Sequence, residues 1–128
     1  MLVTDVMKKI LIIEDEVSFL TLIGEELTRE GYEVIKADNG KKGLETAIAQ
    51  QPDLILLDLK LPIMDGLTVL SELRKDESYG KSAKVIVLTN LEPDKEIMKK
   101  MLEGKPVLYL VKSNIKLLEL SEKIKSLL

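Results

Sequence analysis

Five short aliphatic runs alternating with segments of helical period predict a doubly wound α/β fold: a five-stranded parallel sheet in the order 2-1-3-4-5 with five helices on its two faces. Three observations carry this expectation. The runs are rich in Ile, Val and Leu, as strands buried on both faces are. The segments between them place apolar residues at i, i+3, i+4 and i+7, so each would lay one stripe on the sheet. No linker or low-complexity stretch interrupts the series, and right-handed crossovers leave few other topologies.

After an N-terminal extension of residues 1–7, the domain is expected to span residues 8–128, and its first strand is KKILII at 8–13. A helix follows on Leu20, Ile23, Gly24 and Leu27 and stops near Gly31. The second strand is YEVIKA at 32–37, and the helix after it carries Leu44, Ala47 and Ile48 before a turn at Pro52. DLILLD at 53–58 is the third strand, succeeded by a helix on Gly66, Val69, Leu70 and Leu73 with Asp65 as its expected N-cap. AKVIVL at 83–88 is the fourth, with a turn at Pro93 and a helix on Met98, Met101 and Leu102 that ends at Gly104. Past Pro106, VLYLV at 107–111 is the fifth, and Leu117, Leu120, Ile124 and Leu127 keep helical period through the last segment, 115–128.

Composition narrows the chemistry. With 45% hydrophobic residues the chain can bury a core without disulfides or a structural metal. It has no cysteine, which excludes thiol catalysis and thiolate metal sites, and no histidine, which removes the usual general base and zinc ligand. No signal-peptide pattern or membrane-length apolar stretch is present, so a cytoplasmic protein without a membrane partner is expected. The net charge of −3 is unevenly placed, with −7 over residues 1–80 and +4 over residues 81–128. Solvated, lysine-rich helix faces account for the basic half.

The 2-1-3-4-5 order sets strands one and three side by side, with a crevice beyond their carboxyl ends. Glu14 and Asp15, followed by Glu16, end the first strand, and Asp58 ends the third. Carboxylates gathered there repel one another, so they need either raised pKa values or a cation. Oxygen-only ligands favour a hard ion such as Mg²⁺, which in turn invites phosphate and allows an aspartate to attack phosphorus. A hydroxyl donor and a fixed cation would complete such a site, and strands four and five end in Thr89 and Lys112. Taken singly, each residue has a plainer role. Asp58 could cap the next helix, Glu14 and Asp15 could be solvated loop, Thr89 could simply end a strand, and Lys112 could be an exposed charge.

The four segments IIEDE, LLDLKLPIMDG, VIVLTN and YLVKS, in this order, resemble the receiver domain of two-component response regulators, and the likeness runs from Lys8 to the last helix. The resemblance implies a flavodoxin-like fold and a signalling switch rather than an enzyme with a substrate of its own. It implies Asp58 as phosphoacceptor, with a phosphohistidine of a sensor histidine kinase or phosphorelay protein as donor. Asp15, Asp58 and the backbone carbonyl of Lys60 would hold Mg²⁺, with Glu14 acting through water; no other cofactor is implied. Thr89 and Lys112 would bind phosphoryl oxygens, and Tyr109 would stand at an aromatic switch position. That switch would re-form the surface of helix four, strand five and helix five for a protein partner, in a monomer or a phosphorylation-dependent homodimer, without direct nucleic-acid contact. Pro62 and Gly66 match the family's turn after strand three. Half-buried packing is an equal use for Tyr109.

Departures from the pattern are also legible. Ser113 stands where the family usually has a proline after the lysine, and Asn90 stands where Ala or Gly is commoner and would narrow access to the phosphoryl group. Lys60 and Leu91 lie where the family tunes phosphate lifetime. Among other classes, a flavodoxin-type carrier would want a Ser/Thr/Gly-rich loop where Glu14–Glu16 stands. A haloacid-dehalogenase phosphatase needs a second acid two residues past the first, where Lys60 stands, and no Walker loop or GxGxxG is present. Two readings stay open beside the switch: a receiver excised from a DNA-binding regulator, and a phosphorylation-independent docking module.

Overall fold

The computed structural model describes residues 7–128, so positions 1–6 of the expected N-terminal extension lie outside the described residues. The strands are β1 (Lys9–Ile13), β2 (Glu33–Ala37), β3 (Leu54–Leu57), β4 (Val85–Thr89) and β5 (Leu108–Val111). Between and after them come helices α1 (Val17–Arg29), α2 (Gly40–Gln50), α3 (Gly66–Arg74), α4 (Lys95–Glu103) and α5 (Leu117–Leu127). The five strands form one parallel sheet in the order β2-β1-β3-β4-β5. No helix among the described residues is long and apolar enough to cross a membrane.

Alternation along the strands divides the core in two. Ile10 and Ile12, Leu54 and Leu56, and Ile86 and Leu88 face α1 and α5, where they meet Ile23, Leu27, Leu120 and Ile124. Leu11 and Ile13, Ile55 and Leu57, and Val85 and Val87 face the other way, onto Ala47 of α2, Val69, Leu70 and Leu73 of α3, and Met101 of α4. Each such Leu or Ile taken from water contributes about 1.5–3 kcal/mol, so the central strands carry most of the driving force. Only β1, β3 and β4 are buried on both faces. The edge strands β2 and β5 are partly exposed, since each has a neighbour on one side alone.

Two helices turn differently from their apolar spacing. The buried stripe of α2 is Gly40, Gly43 and Ala47, and Ile48 is exposed. Small residues let α2 approach the sheet closely: a Cβ on Gly43 would lie 2.7 Å from the Ile13 side chain. In α4, Met101 is buried and Ile97 and Met98 are partly so, whereas Leu102, one residue further round the helix, is exposed. Three helices start on side-chain caps. Asn39 accepts from the Lys42 N–H at 2.8 Å, Asp65 from Thr68 at 2.9 Å and Asp94 from Ile97 at 2.8 Å, each worth about 1 kcal/mol.

Arg74, the last residue of α3, ties two connections together, the one before β4 and the one after α4. Its Nε donates to the Gly104 carbonyl at 2.7 Å, Nη1 to the carbonyls of Gly80 and Ala83 at 2.8 and 2.7 Å, and Nη2 to that of Lys105 at 3.1 Å. The guanidinium thus satisfies carbonyls before β4 and after α4 that have no ladder to enter. Arg74→Met, which keeps the stem and removes the donors, is expected to destabilise the fold by about 2–4 kcal/mol. Urea unfolding followed by circular dichroism would measure it, and a loss under half a kilocalorie (~0.5) would mean that water replaces the clamp.

Candidate functional site

Because all five strands run the same way, the residues following β1, β3, β4 and β5 meet at one rim. The Asp58 N–H donates to the Ile13 carbonyl at 3.1 Å and the Glu14 N–H to that of Ala37 at 2.9 Å, so both residues are still held by the sheet. Thr89 is the last residue of β4, and Lys112 follows β5 in a single 3₁₀ turn, Lys112–Asn114. The loop after Asp58 folds back so tightly that a Cβ on Gly66 would lie 2.2 Å from the Asp58 carbonyl oxygen, which is why only glycine fits there. Asp65 caps α3 as expected; Asp58 caps nothing, and its carboxylate turns into the cleft.

Both oxygens of the Asp58 carboxylate are engaged. Thr89 Oγ1 donates to Oδ1 at 2.6 Å, the Lys60 N–H donates to Oδ1 at 3.2 Å, and Lys112 Nζ donates to Oδ2 at 2.9 Å. Lys112 also pairs with Glu14 Oε1, while Glu14 Oε2 accepts from the Glu16 N–H at 3.0 Å. Carboxylate oxygens of Glu14, Asp15 and Asp58 lie within 4.8 Å of one another. Glu14 is 2% exposed, Asp58 6% and Thr89 1%, whereas Asp15 is open to solvent. Burial raises the Glu14 pKa, and the hydrogen bonds from Lys112 and Glu16 only partly offset that. For Lys112 burial works against the charged form, but the hydrogen bonds to Glu14 and Asp58 outweigh it and the pKa is raised.

The structure therefore brings Glu14, Asp15, Asp58, Lys60, Thr89 and Lys112 to one cleft, with Asn90 and Leu91 on the same wall. Tyr109 is set apart from it, half-buried against the cluster on the α2–α3–α4 side and paired in register with Val87. As a donor set, three carboxylates with an adjacent backbone loop suit a hard divalent ion.

The sequence pattern described as the response regulator receiver domain matches residues 10–125. The chain belongs to that family. Receiver domains act as signalling switches in two-component systems. Among curated relatives, sporulation initiation phosphotransferase F of Bacillus subtilis is 35% identical over 82 residues, 64% of each chain. The alkaline phosphatase synthesis transcriptional regulatory protein PhoP of the same species is 46% identical over 70 residues, 55% of this receiver and 29% of that protein. The receiver thus spans only about a third to two thirds of such relatives. Among solved structures, a CheY-like receiver domain protein of Methanospirillum hungatei has a TM-score of 0.85 at 30% identity, covering 94% of this chain and 93% of that one. The receiver domain of a sensor histidine kinase of Pseudomonas aeruginosa, with a magnesium ion coordinated in its active-site cleft, has a TM-score of 0.83 at 29% identity, covering 94% and 97%.

Three features of the site escape a reading by motif. Lys112 Nζ sits 4.7 Å from the centroid of the Phe19 ring, a cation–π contact that adds a face to its cage. Phe19, Ile23 and Leu27 fall at i, i+4 and i+8, so helical spacing holds the signal for the ring's inward direction. The Leu91 N–H donates to Thr89 Oγ1 at 3.1 Å, and the Ser113 N–H donates to Asn90 Oδ1 at 2.8 Å. The first is local to the end of β4 and the second joins two loops, and periodicity carries no trace of either.

Lys112→Met would leave two buried carboxylates without their cation, and a loss of about 3–5 kcal/mol at neutral pH is expected. The raised Lys112 pKa gives stability that is present below the ordinary lysine value and lost as pH rises through the folded one. The raised Glu14 pKa makes its ionised form the less favoured one, so stability from that group falls as pH rises through the carboxylate range. The deficit of Lys112→Met should accordingly shrink as pH is lowered into that range. Chemical unfolding of both proteins from pH 4 to 8 (~1-unit steps) would test it; a pH-independent deficit would assign the loss to packing.

Proposed function

We infer that this receiver, residues 8–128 after an extension of residues 1–7, accepts a phosphoryl group on Asp58 and thereby switches a surface read by a protein partner. One observation carries the reading: a buried aspartate has a hydroxyl on one carboxylate oxygen, an ammonium on the other, and two further carboxylates beside it. These 128 residues hold no histidine, so a phosphohistidine donor lies outside them, on a sensor histidine kinase or phosphorelay protein. In the transfer the phosphorus–nitrogen bond breaks as a phosphorus–oxygen bond to Asp58 forms. The electron pair stays with the imidazole, which takes up a proton.

Asp15, Asp58 and the Lys60 carbonyl would hold Mg²⁺, with Glu14 acting through water, as in the family that the chain belongs to. When bound, the ion supplies the positive charge that lets two anions approach. Lys112 neutralises a phosphoryl oxygen from the β5 side, and Thr89 donates its hydroxyl to another. To do so, both leave the carboxylate oxygens they hold at rest. Thr89 carries the Leu91 N–H with it, which shifts the start of the loop before α4 and vacates space toward Tyr109. A bias of about 1–3 kcal/mol is enough to redistribute such a two-state element. The surface of α4, β5 and α5 is then the output, whether toward a partner protein or a second copy. Catalysis is confined to the domain's own phosphorylation and dephosphorylation, and a cytoplasmic setting with the kinase's catalytic domain follows.

PhoP and other curated relatives are transcriptional regulators longer than this chain, which favours a second reading in which a DNA-binding module accompanies the receiver. The phosphoacceptor chemistry is the same in both.

Incubation with Mg²⁺ and acetyl phosphate should add one phosphoryl mass that is labile to base and absent in Asp58→Asn. No gain in the wild type would leave the docking-module reading in its place. Mg²⁺ titration followed by fluorescence or calorimetry should show affinity falling at least tenfold (~1.4 kcal/mol) in Asp15→Ala. Unchanged affinity would mean that the ion is held elsewhere.

A further inference from the structure

The β4–β5 ladder ends at the pair Thr89 and Val111, one residue before Lys112. Beyond it the two loops are joined by one side-chain bond, the Ser113 N–H to Asn90 Oδ1 at 2.8 Å. Each partner directly follows a residue that holds Asp58: Asn90 follows Thr89, and Ser113 follows Lys112. The bond therefore acts as one more rung, made by a side chain where the backbone rungs stop. It requires a donor N–H at 113 and an acceptor at 90. Proline at 113 would remove the first and alanine or glycine at 90 the second, so the two departures from the family pattern answer each other. Lys112 reaches Asp58 through four flexible methylenes, and fixing its backbone reduces the freedom lost when the ammonium is placed. The same bond turns the Asn90 amide toward the β5 loop, and with it the one bulky group that this position adds to the cleft wall.

We propose that Asn90 and Ser113 form a positioning link that sets Lys112 relative to Thr89 and holds the Asn90 amide aside from the path to Asp58. The proposal rests on Asp58 as phosphoacceptor. Asn90→Ala and Ser113→Pro should each slow phosphate uptake from acetyl phosphate about fivefold, the equivalent of one hydrogen bond. The double variant should be no slower than the slower single, because one bond is lost only once. Ser113→Ala keeps the N–H and should retain the wild-type rate. Mg²⁺ affinity and the thermal midpoint should hold in Asn90→Ala, which separates positioning from loss of structure. Independently of phosphorylation, the Ser113 amide should exchange its hydrogen roughly tenfold faster in Asn90→Ala. Unchanged exchange, or rate losses that multiply in the double variant, would overturn the link while Asp58 still takes phosphate. Absence of any phosphate gain in the wild type would overturn the phosphoacceptor reading and the link with it.

Discussion

The ammonium of Lys112, held between the carboxylates of Glu14 and Asp58, is the contact on which the site depends. Each of those groups is nearly out of water, and an unpaired buried charge would cost several kcal/mol. Three strand ends are joined by this one cation: Glu14 follows β1, Asp58 follows β3 and Lys112 follows β5. The Phe19 ring closes another side of the cage and offers the ammonium the negative face of its π system. One lysine set among three clustered carboxylates leaves an excess of negative charge at the rim, with Asp15 on its solvent side. A site of that composition is electrostatically incomplete without a further cation, which is the physical link between this geometry and a divalent ion.

The carboxylate of Asp58 is also fully spoken for. Any group joined to it would compete with Thr89 or Lys112 for an oxygen. Thr89 accepts from the Leu91 N–H, so the loop toward α4 is attached to the hydroxyl that holds Asp58. Tyr109 packs on the same side of the sheet as Leu91, Ile97 and Met98, which places an aromatic ring among the residues that a shift of that loop would disturb. Two bonds and one shared cluster thus run from one Asp58 oxygen to the packing along α4 and β5.

Close approach holds the loop after β3 in place. A Cβ on Gly40 would lie 1.7 Å from the Met64 carbonyl oxygen, and one on Gly66 would meet the Asp58 carbonyl. The loop after β3 is therefore pressed between α2 and the strand end it leaves. Arg74 does the equivalent at the far end of α3, where four carbonyls converge on one guanidinium.

The sequence alone determined the five strands and the convergence of Glu14, Asp15, Asp58, Thr89 and Lys112, because buried strands need continuous aliphatic runs and parallel strands bring their ends to one rim; the order 2-1-3-4-5 was expected as the common one for five strands and is the order found. It also held the Asp65 cap, since an acceptor three residues before a free N–H is a local matter. What only the tertiary structure decided are contacts between groups distant in the chain. The helix face at Ile48 was set by how closely α2 approaches the sheet rather than by period, and Leu102 lies exposed beside the buried Met101 of α4. The edge strands were exposed by their position in the sheet. Helical spacing turns Phe19 inward, but Glu14 with Lys112 and Asn90 with Ser113 depend on loop paths that no repeating pattern encodes, because a hydrogen bond or ion pair is fixed to tenths of an ångström while periodicity specifies only a face.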